Sequence, residues 1–317
     1  MTFWPPDRPC SSHSRSKLKM AKSIDDLTLA ELTALRSKVA EYEKFVPPGH
    51  FYSPVPDQEE FARREPLLYA PNQSFPGIDL RDESQLKFLT SVSHLQRDLP
   101  FHGSPQPEHR YYFDNDFYSY GDAIIYSAVL RHFRPQRVIE VGSGFSSALL
   151  LDVNLLFANG QIDCTFVEPF PTRLLQLLRP VDHSRVRIHQ SMLQDIDLAI
   201  FSTLREGDVL FVDSTHVAKA GSDVNLLFFQ ILPQLAKGVL VHIHDVFDPF
   251  EYPAAWVRQG RSWNELYLLR AFLQFNSAFE VIYFNDYMAK RHGEAVAKYL
   301  PLAMKNPGGS LWLKKAI

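Results

Sequence analysis

Cysteine is nearly absent: Cys10 and Cys164 are the only two in 317 residues. Two thiols cannot build a disulfide framework, and a cytoplasmic setting is expected. No apolar run approaches the roughly 20 residues that span a bilayer, so no membrane partner is expected. The basic stretch MTFWPPDRPCSSHSRSKLKM has no apolar segment behind it and does not read as a secretory signal. Charge of one sign is also lacking. The net charge of −3 offers no footprint for nucleic acid. What is present suits a globular chain: 45% of residues are hydrophobic and 22% charged, enough for a sizeable core. Phe (24) and Tyr (13) are abundant, and such rings serve either a core or a pocket for an organic molecule.

The stretch RVIEVGSGFSSALLLDV, residues 137–153, organises the rest. A short apolar run holding Glu140 stops at Gly142-Ser143-Gly144, and a largely apolar helical pattern follows. That is a buried strand, a glycine turn and a helix, the first unit of an open α/β sheet. Glycine permits the sharp turn and lets a ligand approach the peptide groups. The free N–H groups and dipole of the next helix face the same point. The dinucleotide fingerprint fits poorly, because Ser147 stands where its third glycine or alanine belongs.

The pattern then repeats. Strands are expected at 162–167, 185–189, 209–212 and 239–243, separated by helical stretches at 172–178, 195–204 and 222–235. A helix at 263–275 leads to strands at 279–284 and 310–313. Alternation with helices implies parallel βαβ units. The final pair lacks a comparable crossover and reads as a closing hairpin, with an antiparallel last strand. Earlier, 1–22 reads as a disordered leader. Residues 25–44 read as a helix opened by a Thr28/Glu31 capping box, packed on the domain or on a second copy of the chain. Residues 46–110 are Pro-rich with interleaved aromatics and read as extended chain, with a helix near 85–95. That segment is either a cap over a pocket or an outer arm. The loop 109–122 concentrates Tyr111, Tyr112, Phe113, Phe117, Tyr118 and Tyr120 before a helix at 121–133.

Polar groups close several strands. Glu168 ends the second, where a carboxylate can accept both hydroxyls of a ribose. Ser191 and Met192 follow the third. Asp213 and His216 follow the fourth. His242, His244 and Asp245 end the fifth. Asp213, His216, His244 and Asp245 can converge, either as a site for a divalent ion or around a histidine base. Histidines buried for structure alone are the third reading. Asp223 and Asp248 lie nearby, and Phe250 to Trp256 with Trp263, Asn264 and Glu265 can wall an acceptor site.

EVGSGFS together with Glu168 resembles class I S-adenosylmethionine (SAM)-dependent methyltransferases, in the methyltransferase-24, O-methyltransferase-like branch. The resemblance covers about 115–317. It implies a doubly wound seven-stranded sheet of order 3-2-1-4-5-7-6, with the N-terminal helical and Pro/aromatic-rich region (23–114) as a cap. It implies SAM held by Glu140, Gly142, Ser143, Gly144, Glu168, Ser191, Met192 and Asp213, with Tyr120 or Tyr118 above it. Macrocin- and cephalosporin-hydroxylase-like members place acidic magnesium ligands at the ends of strands four and five. Here His244 replaces one carboxylate, which implies a softer metal on Asp213, His244 and Asp245, or none. The expectation is methyl transfer to oxygen of a small molecule, with His216 as base and Asp213, His244 and Asp245 orienting it. The fold also admits a metal-dependent oxygenase or hydrolase, a SAM-binding protein without chemistry, and a homo-oligomer.

Overall fold

The computed structural model describes residues 27–42 and 45–317. The leader expected over 1–22 lies outside them. The chain divides into two compact units, Met1–Arg63 and Arg64–Ile317. In the first, α1 (Leu29–Tyr42) starts at a capping box. Glu31 N–H donates to Thr28 Oγ1 at 3.3 Å, and Thr28 N–H donates to the Glu31 carboxylate at 2.8 Å. Two donors without helical partners are thereby satisfied. Proline spacing marks 46–110 as extended, yet two helices interrupt it, α2 (Gln58–Leu68) and α3 (Asp82–Val92). Asp57 caps the first by accepting from Glu60 N–H at 2.7 Å. Local capping overrides the proline signal there, even with Pro66 inside the helix. Phe51 and Tyr52 are not buried; they stand 80% and 65% exposed.

The second unit carries the sheet. After α4 (Tyr120–Phe133) come β1 (Arg137–Val141), α5 (Phe145–Ala158), β2 (Asp163–Val167), α6 (Thr172–Leu177), β3 (Val186–His189), β4 (Val209–Val212) and α7 (Asp223–Leu226). Next are α8 (Leu232–Gln234), β5 (Leu240–His244), α9 (Ala254–Arg258), α10 (Glu265–Leu273), β6 (Phe279–Phe284), α11 (Asn285–Arg291), α12 (Gly293–Tyr299) and β7 (Ser310–Lys315). The sheet has seven strands in the order β3-β2-β1-β4-β5-β7-β6. Neighbours are parallel except at β7, which runs antiparallel to both β5 and β6. This is the architecture expected from the alternation of apolar strands with helices. Among the described residues, no helix is long and apolar enough to cross a membrane.

One transverse row of the sheet bears on the site. Register aligns Phe166, Glu140, Phe211, His242 and Trp312 on adjacent strands. Tyr126 of α4 lies over that row, 5.0 Å from Phe211 and 5.4 Å from Trp312 between ring centroids. A carboxylate and an imidazole therefore sit in the hydrophobic layer beneath α4. Two helical expectations change. Residues 195–204 form 3₁₀ turns instead, Leu193–Asp195 and Leu198–Thr203. The run at 222–235 is helical but passes through a π-helical stretch, Leu227–Ile231, just before Pro233. Proline has no N–H to give to the preceding turn, and the wider hydrogen-bond pattern accommodates the gap.

Candidate active site

Ligands of open α/β sheets bind beyond the carboxyl ends of the strands. A cleft of about 250 Å³ opens there, lined by Gly142, Glu168, Met192, Gln194, Asp213 and Ser214 among others. A larger groove of about 860 Å³, with Arg131, Arg134 and Arg137 on its wall, lies at the opposite end of β1 and β2. The smaller cleft is the one the topology favours, since the connecting loops and the free helix N-terminus converge on it.

The glycine turn is held from two sides. Gly142 takes φ +82°, and a Cβ built on it would lie 1.8 Å from the Asp213 carbonyl oxygen. No other residue fits where β1 and β4 come together at this height. On one side the Glu168 carboxylate accepts from Ser143 N–H (3.1 Å) and Phe170 N–H (2.8 Å). On the other, Glu140 lies below the turn and is fully buried. Tyr126 donates to it at 3.0 Å and Ser147 donates to its second oxygen. Ser147 in turn accepts from Gly144 N–H at 3.1 Å. The residue that spoils the dinucleotide fingerprint thus ties the turn to Glu140. Burial pushes the Glu140 carboxyl up to about 8, against the opposing pull of Ser147 and Tyr126. Burial also raises Glu168, and the two backbone donors only partly offset it. Ser143 Oγ and Ser214 Oγ are buried beside this turn with no hydrogen-bond partner among the described residues.

At the ends of β4 and β5, ligand atoms of Asp213, His216 and Asp245 lie within 4.8 Å of one another. His216 Nε2 is 3.2 Å from Asp213 Oδ1 and 3.5 Å from Asp245 Oδ2. Its Nδ1 is 2.8 Å from Glu265 Oε2. His216 and Asp245 both adopt positive φ, +59° and +57°, which swings their side chains out of strand alternation toward each other. The loop after β4 is clamped twice. Asp223 accepts from Thr215 N–H (3.0 Å) and Oγ1 (2.6 Å). The start of α10 donates Asn264 and Glu265 N–H to the His216 carbonyl, at 3.0 and 3.1 Å. The Trp263 ring covers the imidazole at 4.4 Å.

Burial would lower His216, but Asp213, Glu265 and Asp245 outweigh it and hold the imidazole well above its ordinary value. Burial would raise Asp213, yet His244 and then His216 bring it down to about 2. Asp245 is raised, by burial first and by Asp213 as well. His216, expected as the base, thus sits among three carboxylates that favour its charged form. The metal set differs from the expected one. His244 stays on the alternating face with His242, its ring 5.4 Å from Tyr118, and its Nε2 reaches Asp245 only at 3.7 Å. His216, not His244, joins the two aspartates. His242 is core: it stacks on Phe211 at 3.9 Å, and burial drives it well below its ordinary value.

Two expected cofactor contacts also lie elsewhere. Tyr120 stacks on Phe113 at 4.9 Å and donates to Asp114 at 2.6 Å. Its ring is spent in the core. Ser191 does not line the cleft, and its hydroxyl turns to the Met192 carbonyl at 3.3 Å. Met192 does line it, with Leu193 and Gln194. Sequence reasoning missed Tyr126; it singled out Ser147 only as the residue that breaks the dinucleotide fingerprint, and Glu265 only as part of a wall of the acceptor site.

A family model described as a methyltransferase domain matches residues 139–246, which span β1 to β5 and the cluster above them. An uncharacterized protein of Archaeoglobus fulgidus is 38% identical over 172 residues, covering 52% of this chain and 76% of its own. Among solved structures, an SAH-bound methyltransferase of Podospora anserina is 16% identical, with a TM-score of 0.42 over 83% of this chain and 98% of that one. The O-methyltransferase TomG of Streptomyces achromogenes, in complex with SAM, is 16% identical, with a TM-score of 0.35 over 82% and 99%. Those structural likenesses are too distant to bear weight. The family match identifies residues 139–246 as a methyltransferase domain, and they lie in a sheet whose strand order is the one expected for class I SAM-dependent methyltransferases.

Proposed function

We propose that the chain, through residues 115–317, transfers a methyl group from SAM to an oxygen of a small organic molecule, beside a divalent ion. One observation carries the reading. Asp213 lines the cleft at the glycine turn and is also a member of the Asp213–His216–Asp245 cluster. A cofactor site and an acceptor site that share one side chain are adjacent by construction, as in-line transfer requires.

The residues present suit SAM. Glu168 offers a carboxylate, Gly142 leaves backbone open, and the Ser143 and Ser214 hydroxyls are buried and unpartnered among the described residues. When bound, SAM supplies an electrophilic methyl carbon. Glu168 would take the ribose hydroxyls, and Glu140 would hold the turn from below. The cluster suits a divalent ion as well. With Nδ1–H given to Glu265, His216 turns an Nε2 lone pair toward two carboxylates. Three lone-pair donors facing one another need a cation among them, a proton or a metal. When bound, a divalent ion supplies polarisation of an acceptor oxygen. Asp213, His216 and Asp245 would hold it, and Trp263 would shield it from water.

Calorimetric titration with S-adenosylhomocysteine tests the reading. Binding in the micromolar range is expected. Failure to bind overturns it. A panel of phenols, catechols and hydroxy acids with isotope-labelled SAM then identifies the acceptor class, and label appearing only on nitrogen or carbon overturns the O-transfer part.

A further inference from the structure

We infer that Glu265 is a positioning residue, one that fixes how His216 faces the cation site and so biases that site toward transition ions over magnesium. The inference rests on the divalent-ion reading above. Glu265 is the first residue of α10 and grips His216 at both ends. Its backbone N–H donates to the His216 carbonyl at 3.1 Å, and His216 itself takes positive φ. Its carboxylate meets His216 Nδ1 at 2.8 Å. A carboxylate on Nδ1 fixes the proton there and leaves Nε2 as the donor atom. Nε2 is the nitrogen that faces Asp213 and Asp245, at 3.2 and 3.5 Å.

Burial sharpens the point. Glu265 is 2% exposed, and its second oxygen, Oε1, has no hydrogen-bond partner among the described residues. A charge buried with half its capacity unused is costly. The start of α10 offsets part of that through its dipole. A residue serving the fold alone would be better replaced by an apolar one. A residue serving to hold an imidazole has a reason to stay. The donor set that results is one imidazole and two carboxylates. Imidazole favours zinc, iron, nickel and copper, whereas carboxylate and water alone favour magnesium and calcium.

The test uses the full chain, stripped with chelator and titrated separately with Co²⁺ and Mg²⁺. Wild type is expected to bind Co²⁺ more tightly than Mg²⁺, with visible absorption bands from the bound ion. Glu265→Gln keeps an acceptor oxygen but loses the charge, and should weaken Co²⁺ about tenfold. Glu265→Leu removes both and should weaken it roughly 100-fold and shift the bands. Mg²⁺ binding and S-adenosylhomocysteine affinity should change little in either. If the leucine variant does not fold, the glutamine variant decides alone. Unchanged Co²⁺ affinity and spectrum in Glu265→Gln overturns the positioning role while leaving the divalent-ion reading intact. Tighter binding of Mg²⁺ than Co²⁺ by wild type overturns the bias. Wild type binding neither ion overturns the divalent-ion reading and this inference with it.

Discussion

Gly142 and Asp213 touch where β1 and β4 end: a Cβ on the glycine would fall 1.8 Å from the aspartate carbonyl oxygen, at φ +82°. Both steric space and backbone region exclude a side chain. Gly142→Ala should cost about 3–5 kcal/mol, strain and overpacking together. Because Asp213 must move, S-adenosylhomocysteine binding should fall with stability. Gly221 supplies the control, with φ +71° but open space around it. Gly221→Ala should cost only about 1 kcal/mol. Urea denaturation of both variants checks the pair, and equal costs would show that crowding against Asp213 is not what fixes Gly142.

Glu168 differs from Glu140 in what it faces. It lines the cleft and is partly exposed, so its carboxylate is available to a ligand. Glu168→Gln should weaken S-adenosylhomocysteine about 10–100-fold, the loss of one or two charge-assisted bonds of roughly 1.5–3 kcal/mol. The thermal midpoint should move little, since an amide oxygen can still accept from Ser143 N–H. A large drop in midpoint with unchanged affinity would make Glu168 a loop brace alone.

Strand order, the glycine turn and Glu168 were legible because each follows from local pattern: apolar runs, glycines and a carboxylate at a strand end. The cluster was half legible. Asp213 and Asp245 stand directly after their strands, but alternation puts His242 and His244 on one face and does not foretell the left-handed turn that brings His216 in. That turn is hydrogen-bonded by Asn264 and Glu265, about fifty residues later, and no local signal links them. Tyr120 stacks on Phe113, and aromatic content alone does not distinguish such a ring from one above a ligand. The α2 helix was hidden by proline spacing that its Asp57 cap overcame.

Arg110 shows what anchors the aromatic loop. Its guanidinium lies between Asp152 of α5 and Asp182, with contacts of 2.6 Å to each, and all three side chains are buried. Its backbone N–H, and that of Tyr111, also donate to Asp152 (2.7 and 2.9 Å). Removing the cation strands two buried carboxylates. Arg110→Met should therefore cost about 3–5 kcal/mol, although methionine fills much of the space. The triple variant with Asp152→Asn and Asp182→Asn should recover part of that loss. Chemical denaturation gives both values. No recovery would mean that the guanidinium's packing, not its charge, holds the loop.

Glu140 makes a pH prediction with a definite sign. Its folded value, about 8, stands above the ordinary 4.5 because burial penalises the charged form. The folded state therefore holds a proton that the unfolded state has released over that interval. The resulting stability is fully present below about pH 4.5, declines as pH rises, and is gone above about pH 8. Glu140→Gln mimics the neutral form at every pH. It should match wild type near pH 5 and exceed it increasingly up to pH 8. The gap is at most roughly 4–5 kcal/mol, or about 5–10 °C in thermal midpoint. Ser147 and Tyr126 can both still bond an amide, so the comparison isolates charge. Midpoints recorded from pH 5 to 9 test it. A gap that does not change with pH would mean that Glu140 is ionised throughout, with a counter-charge beside the turn.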